Sequence, residues 1–335
     1  MAGLRGYWSR FIALRLLRLA ILLPVVTVAA FTLLSLSPID PVRAYVGDRM
    51  HRVGPEQQAL IAEKWGLDRP PLERFGTWVV NVAEGDFGQS MIFSRPVVDV
   101  LADRVAASLA LMALAWLMSG ALGYGLGLLA GAFEGTMLDR VIRAYAFVLV
   151  STPVFWAAIL LLVVFSVQLG WAPFCCAGPP GVPEAAVTFA ERLRHLILPA
   201  VTLSLLGVGQ VTLHTRDKVR EVMASDYATL AFAQGLGRLA VALRHASRNA
   251  ALPAVTIQFA HFGELFGGSV LAESVFAYPG LGQATVLAGT RGDAPLLLGI
   301  ALFAAVFVFV GNTIADILYR LLDPRQRVSS GDFAS

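Results

Sequence analysis

The chain has 335 residues, 57% of them hydrophobic and 15% charged, with a mean hydropathy of +0.69, a balance that excludes a globular domain folding around one core in water. Only Lys64 and Lys218 of its 26 basic residues are lysines and the net charge is +3, which excludes a polybasic nucleic-acid surface. Two adjacent cysteines, Cys175 and Cys176, cannot build a disulfide framework and match no spaced metal-ligand pattern.

A membrane-crossing helix needs about 20 mostly apolar residues, because in lipid every backbone amide must be satisfied within the segment. Leu19–Leu36 is the first such run, in a stretch with no charged residue between Arg18 and Asp40. A signal peptide would be shorter and end at a small-residue cleavage site, whereas this run continues into Ser-Pro-Ile-Asp-Pro at 37–41. Residues 37–104 follow as a small folded cap, with turns expected at Gly-Asp-Phe-Gly (85–88) and Ser-Arg-Pro (94–96). The second span lies between Arg104 and Glu134. Its Gly123, Gly127 and Gly131 recur every four residues and predict a face that another helix approaches closely. The third runs from Arg143 to Leu169, with a kink expected at Pro153. The fourth covers Leu196 to Thr215. The fifth, Leu252 to Phe276, holds His261, Glu264 and Glu273, the last read as a solvated carboxylate at its outer end. The sixth, Ala294 to Ala315, has no charged residue.

The expected fold is therefore an all-α polytopic membrane protein with about six transmembrane helices. Arg5, Arg10, Arg15 and Arg18 precede the first span, Arg320, Arg325 and Arg327 follow the last, and six basic residues from Arg216 to Arg248 separate the fourth from the fifth. This asymmetry puts both termini on the cytoplasmic side, and 37–104 and Gly170–Arg194 outside. The chain divides into 1–36, the external cap 37–104 and a core of helices two to six in 105–335.

Residues 216–249 are too long for a plain turn. Asp226 is placed to cap a short helix over Tyr227–Gln234, with Ala228, Ala231 and Phe232 on one side and Gly235 at its end. A second short helix is expected over Arg238–Asn249, the pair presenting a small-residue surface to another protein; a stabilising cytoplasmic cap is the alternative.

Asp-Tyr-Ala-Thr-Leu-Ala-Phe-Ala-Gln-Gly-Leu-Gly (226–237) and Leu-Arg-His-Ala-Ser-Arg-Asn-Ala-Ala-Leu-Pro (243–253) resemble the EAA loop of ATP-binding-cassette (ABC) importer permeases of the dipeptide, oligopeptide and nickel group. The resemblance extends through Gly-Leu-Asp-Arg-Pro (66–70), Gly-Asp-Phe-Gly-Gln-Ser (85–90), Ser-Thr-Pro-Val-Phe-Trp (151–156), Phe-Ala-Tyr-Pro-Gly-Leu-Gly (276–282) and Leu-Leu-Asp-Pro-Arg (321–325). The order of the blocks looks like the first of two paired permeases. One departure is Thr-Leu-Ala-Phe-Ala-Gln-Gly at 229–235, which lacks the two basic residues of the family's Thr-Ala-Arg-Ala-Lys-Gly.

The resemblance implies a type I importer permease in the bacterial inner membrane, paired with a second homologous permease. It also implies two ATPase subunits, which bind ATP and magnesium, and a periplasmic or lipid-anchored solute-binding protein. On that reading Asp226, Tyr227, Ala228, Ala231, Phe232, Gly235, Leu236 and Arg244 dock the ATPase. The chain itself has no Gly-x-x-x-x-Gly-Lys-Ser/Thr loop, and neither Gly-x-Ser-x-Gly nor His-Glu-x-x-His occurs, so no bound cofactor and no catalytic residue are assigned. A secondary transporter would instead show repeated halves, and no block recurs.

Ionisable residues inside a span are costly and mark candidate paths. His261 and Glu264 share a helical face with Gln258 behind them, and His214 on the fourth span could join them. Imidazole and carboxylate together suit a divalent transition metal, while a structural polar contact between the two is the alternative. His-Phe-Gly-Glu-Leu-Phe-Gly-Gly-Ser (261–269) and Ser-Pro-Ile-Asp-Pro-Val (37–42) resemble the nickel-type members, which places nickel or a metal chelate ahead of short peptides as cargo. Cys175 and Cys176 could be an external metal-handling pair or incidental.

Overall fold

A computed structural model describes residues 2–38, 40–46, 50 and 53–322. Ile39, Arg325 and Arg327, and the part of the 321–325 block from Asp323 onward, lie outside them. All regular structure among the described residues is helical, apart from one isolated bridge between Gln89 and Pro96. The chain forms two compact units: Met1–Ser108 with Pro279–Val310, and Leu109–Tyr278 with the chain from Gly311 on.

The first unit begins with α1 (Ala2–Ser35), whose Ser9–Ser35 portion is long and apolar enough to cross a membrane. Ile12, Leu16, Leu17, Ile21, Val25 and Leu33 are all more than half exposed, as expected where lipid is the solvent. Three shorter helices follow: α2 (Pro41–Val46), α3 (Pro55–Lys64) and α4 (Pro71–Ala83). Both α3 and α4 open on a proline, whose missing N–H is no loss in a first turn. The expected turns are present: Gly85 and Gly88 stand at φ 91° and 84°, Ser94 at 49°. The Asp86 carboxylate accepts from the Gly88 amide at 2.8 Å, and the Val97 amide returns to the Gly88 carbonyl at 2.9 Å.

The start of α5 (Val97–Ala132), α13 (Leu281–Thr290) and the start of α14 (Ala294–Leu322) complete this unit. Asp293, fully buried, gathers the turn: it accepts from the Ser90 hydroxyl at 2.7 Å and the Ile92 amide at 3.0 Å while capping α14 through the Leu296 amide at 3.2 Å.

The second unit is built on the rest of α5 and on α8 (Phe189–Met223), both crossing candidates. The glycine face of α5 packs as expected. A Cβ added at Gly123 would lie 2.8 Å from Val211 Cβ, at Gly127 2.6 Å from the Thr212 carbonyl, and at Gly131 2.6 Å from Val219 Cβ. Three contacts one turn apart along α5, reaching from Val211 to Val219 of α8, mean that the two helices touch closely along two turns. Gly127→Leu is expected to force them apart, at a cost of about 1–3 kcal/mol or more since backbone blocks the site. The check is a lowered unfolding temperature in detergent, against an unchanged one for Gly125→Leu, whose added Cβ meets open space.

The third span is more broken than a proline kink. α6 (Met137–Ser151) and α7 (Val154–Leu161, continued by a π-helical turn to Gln168) meet at 107° across Thr152 and Pro153. Thr152 is extended at ψ 122°, as a residue before proline must be. The fifth span also differs from expectation. It is two 14-residue helices, α11 (Ser247–Ala260) and α12 (Phe262–Val275), joined at His261. Four helices of the described residues are long and apolar enough to cross, with the bent α6–α7 pair as a fifth, rather than six straight spans. Gln258, His261 and Glu264 are what dilute the hydropathy at the α11–α12 junction. The Phe262 ring lies where a side chain at Gly311 of α14 would be.

One other expectation is corrected, and one open alternative is closed. Glu273 is not solvated but fully buried. Its charge adds to burial in pushing the Tyr278 phenol up to about 12, against an opposing pull from Arg192. Cys175 and Cys176 are joined to each other. Their sulfurs are therefore not a free metal-handling pair, and a bond between neighbours staples no distant segments. The Cys176 amide donates to the Phe276 carbonyl at 3.1 Å, and the His195 ring, as its Nδ1–H tautomer, donates to the Cys175 carbonyl at 2.8 Å.

Candidate functional site

Two sites emerge in the second unit, one at the segment after α8 and one at the α11–α12 junction. The segment after α8 begins with α9 (Asp226–Ala233). Ser225 occupies the N-cap position, without a side-chain cap bond, and Asp226 is already in the first turn, where its charge complements the helix N-terminus. Gly235 ends the helix at φ 87°. Its amide returns to the Phe232 carbonyl at 2.9 Å and the Leu236 amide to Ala231 at 3.1 Å, a left-handed cap that glycine adopts without strain.

The chain then forms one continuous helix in place of a short helix and a separate span: α10 (Arg238–Val241), a π-helical turn (Ala242–Ala246) and α11. Ala242, Ala246 and Ala250 recur every four residues and pack on Leu128 and Ala132 of α5 and Val219 and Val222 of α8. The Tyr124 hydroxyl donates to the Ser247 carbonyl at 2.7 Å beside them.

The small-residue face of α9 points inward. Ala228 and Ala231 are 0% and 4% exposed and form a core with Val241, flanked by Met223, Phe232 and Leu236. They are not available to a partner as the sequence reading expected, because α10 folds back over them. The outward surface is instead Tyr227, Leu230, Leu239 and Leu243, large apolar side chains between 42% and 61% exposed, with Asp226, Gly235 and Arg244 also exposed. The Asn249 amide donates to the Tyr227 hydroxyl at 3.3 Å, tying α9 to α11.

This platform is anchored by an ion pair that the sequence reading did not single out. Arg216, counted above among the cytoplasmic basic residues, lies within α8 and is buried. Its Nε donates to Asp139 Oδ1 at 2.6 Å and its Nη2 to Oδ2 at 2.9 Å. Asp139 is 1% exposed, accepts the Gly135 amide at 3.0 Å and sits in the first turn of α6, whose N-cap is Thr136. The planar fork of arginine suits two-point recognition of a carboxylate. An Asp and an Arg 77 positions apart, each with other charges beside it, left no local signal of the pairing.

At the α11–α12 junction, Gln258, His261 and Glu264 line a cavity of about 20 Å³ with Trp116, Ser119 and Leu265. Gln258 is buried and both amide protons are committed, to the Trp116 carbonyl at 2.6 Å and the Ser119 hydroxyl at 2.7 Å, while the Trp116 indole donates to the Gln258 carbonyl at 3.2 Å. The His261 ring and the Glu264 carboxylate meet at 2.9 Å, with Glu264 61% exposed. His214 is not part of this cluster: it is exposed on α8, its Nδ1–H donating to the Gln210 carbonyl of its own helix at 2.9 Å. No group of three or more His, Cys, Asp or Glu side chains able to hold a metal is found among the described residues. The expected metal site is thus reduced to one hydrogen-bonded pair at a surface, short of the four to six donors a divalent metal takes.

The family model for the binding-protein-dependent transport system inner membrane component matches residues 123–328, and that for the N-terminal membrane component of such systems matches 8–112. The chain belongs to this family. It is a permease subunit of an ABC importer, a multi-pass protein of the bacterial inner membrane, and is not itself an enzyme. The permease resembles the di/tripeptide transport system permease protein DppB of Pseudomonas aeruginosa, 33% identical over 92% of this chain and 97% of the relative. It also resembles the oligopeptide transport system permease protein AppB of Bacillus subtilis, 32% identical over 90% and 93%. A Brucella abortus protein, provisionally named a peptide transport system permease, is 37% identical over 94% of this chain and 99% of its own length. The preference for nickel or a metal chelate read from short motifs is not supported, since these relatives are named for peptides. Membership in the family implies an ATPase and a solute-binding protein as partners.

Proposed function

We propose that this permease conducts short peptides, paired with a second permease and driven by two ATPase subunits that carry ATP and magnesium. Cargo reaches it from a periplasmic or lipid-anchored binding protein. The termini are cytoplasmic, as the arginine distribution favours, and the ATPase docks on 226–249. The observation that carries the docking is the outward apolar surface of Tyr227, Leu230, Leu239 and Leu243 on a segment fixed to α5 and α8. Exposed leucines on a polar-flanked helix pair are costly in water unless a partner covers them. Ala228, Ala231 and Phe232 act from behind, holding α9 in place. The peptide cargo is supported by the names of the relatives. The α11–α12 junction lies along the path, where Gln258 locks α11 to α5 and His261 with Glu264 forms a polar rim.

The test is uptake of a labelled dipeptide and of radiolabelled nickel in a deletion strain with and without this gene. Gene-dependent dipeptide accumulation with unchanged nickel is expected; gene-dependent nickel accumulation alone would overturn the peptide reading. Glu264→Gln is expected to lower dipeptide uptake by no more than about fivefold, because its exposed pair with His261 contributes only about 0.2–1 kcal/mol. A larger loss at normal membrane abundance would move Glu264 from the rim to direct cargo contact.

A further inference from the structure

The helix α4 of the first unit is apolar over more of its circumference than the chain covers. At 3.6 residues per turn Val79, Leu72, Ala83, Gly76 and Val80 fall, in that order, within an arc of about 100°. All five are exposed, Leu72 at 82%. A Cβ added at Gly76 would meet nothing, so the arc is open along its length. Phe75 lies beside Val79 around the helix, and its ring packs on Phe31 of α1 with 4.7 Å between centroids. Beyond Val80 comes an exposed polar stripe of Glu73 and Thr77. From the α1 contact outward α4 runs apolar and then polar, the division of a helix lying at the boundary between an apolar medium and water.

Its depth says which medium that is. The apolar window of α1 is only 6% buried and Leu33, near its end, is 72% exposed, so lipid surrounds this part of the span. Phe31 stands about 6 Å short of the helix end at Ser35. That places the adjoining side of α4 within the roughly 5–10 Å over which an interfacial helix buries its apolar face. We infer that α4 is an amphipathic anchor lying along the bilayer surface. Leu72, Val79 and Ala83 are set among the acyl chains, Val80 stands at the boundary, and Glu73 and Thr77 face water. A protein partner arriving from water would meet the polar stripe first, whereas the apolar arc adjoins the lipid that already bathes α1. The surface concerned is the one at the C-terminal end of α1, the outer one on the topology proposed above. The contact with lipid does not depend on which side that is, so it stands or falls apart from that topology.

The test uses the full chain in the complex it forms, in nanodiscs of phosphatidylethanolamine and phosphatidylglycerol, with a nitroxide on one introduced cysteine at a time. The two native cysteines are bonded to each other and do not compete for the label. Collision with oxygen, which concentrates in the acyl layer, is compared with collision with a neutral water-soluble nickel chelate. Leu72→Cys, Val79→Cys and Ala83→Cys are expected to favour oxygen and Thr77→Cys the chelate, so that the ratio inverts around the helix. Preference for the chelate at Leu72 and Val79 would place the arc in water and overturn the anchor. Low collision with both reagents would mean that protein covers the arc, which also overturns it. Cover that appears only on adding the solute-binding protein would then assign the arc to that partner, and cover present without it to another subunit. Leu72→Asp combined with Val79→Asp should abolish the oxygen preference at Ala83→Cys, while Glu73→Gln leaves it in place. An oxygen preference unmoved by the paired substitution would overturn the anchoring role of those two side chains.

Discussion

Leu230→Asp should abolish ATP-driven uptake while leaving the permease in the membrane at normal abundance. Leu230 is 61% exposed on α9 and lies outside the Ala228–Ala231–Val241 core, so the substitution removes little packing within the chain. The whole effect then falls on the partner. A carboxylate pressed against an apolar docking surface loses its hydration without gaining a counter-charge. An anchor residue at such a centre is worth about 2 kcal/mol or more, so association with the ATPase should weaken by at least about thirtyfold. The measurement is co-purification of the ATPase with the tagged permease, together with uptake in proteoliposomes. Ala228→Leu is the informative contrast. At 0% exposure it overpacks the inner face, and it should fail through loss of the folded protein, not through loss of docking alone. Full uptake by Leu230→Asp would remove the ATPase from this surface.

That contrast also marks what the sequence could and could not tell. Glycines spaced by four along an apolar run have one common use, so a close helix contact on this face of α5 was legible from Gly123, Gly127 and Gly131 alone, though not that α8 makes it. Gly235 was legible for the same reason, because a helix that stops at glycine usually needs a left-handed residue there. Pro153 marked the position of a break, but not its 107° size. The inward face of α9 was misread because alanines suit both a tight core and a partner contact; α10 folding back over them decided between the two. His261 gave no warning that α11 would end there, having neither glycine's freedom nor proline's missing donor. Glu273 was taken as solvated from its place near a helix end. Its burial comes from segments that the local sequence does not reveal.

Asp139→Asn should cost the folded subunit about 3–5 kcal/mol, the penalty for removing one partner of a buried ion pair. Arg216 is 8% exposed and would keep a full charge, facing a neutral amide where two carboxylate oxygens had been at 2.6 and 2.9 Å. Its remaining acidic neighbour, Asp217 at 3.0 Å, is 65% exposed and so pairs in a wetter setting. The double variant Asp139→Leu/Arg216→Met should recover most of the loss, because two apolar groups of similar volume leave no buried charge behind. The three unfolding temperatures in detergent form the comparison, and a double variant no more stable than Asp139→Asn would show that the loss does not come from the charge left unpaired on Arg216. Function separates the two roles further. The pair fixes the start of α6 to the part of α8 that bears Val219 and Val222, the floor on which Ala242 and Ala246 rest. If the fixing matters only for stability, the double variant transports normally once folded. If α8 must also swing as a unit with α6 when the ATPase closes, the double variant folds, docks the ATPase and hydrolyses ATP, yet moves less cargo per ATP. The second outcome is expected, because apolar side chains replace the charge but not the two-point geometry that resists rotation of one helix against the other.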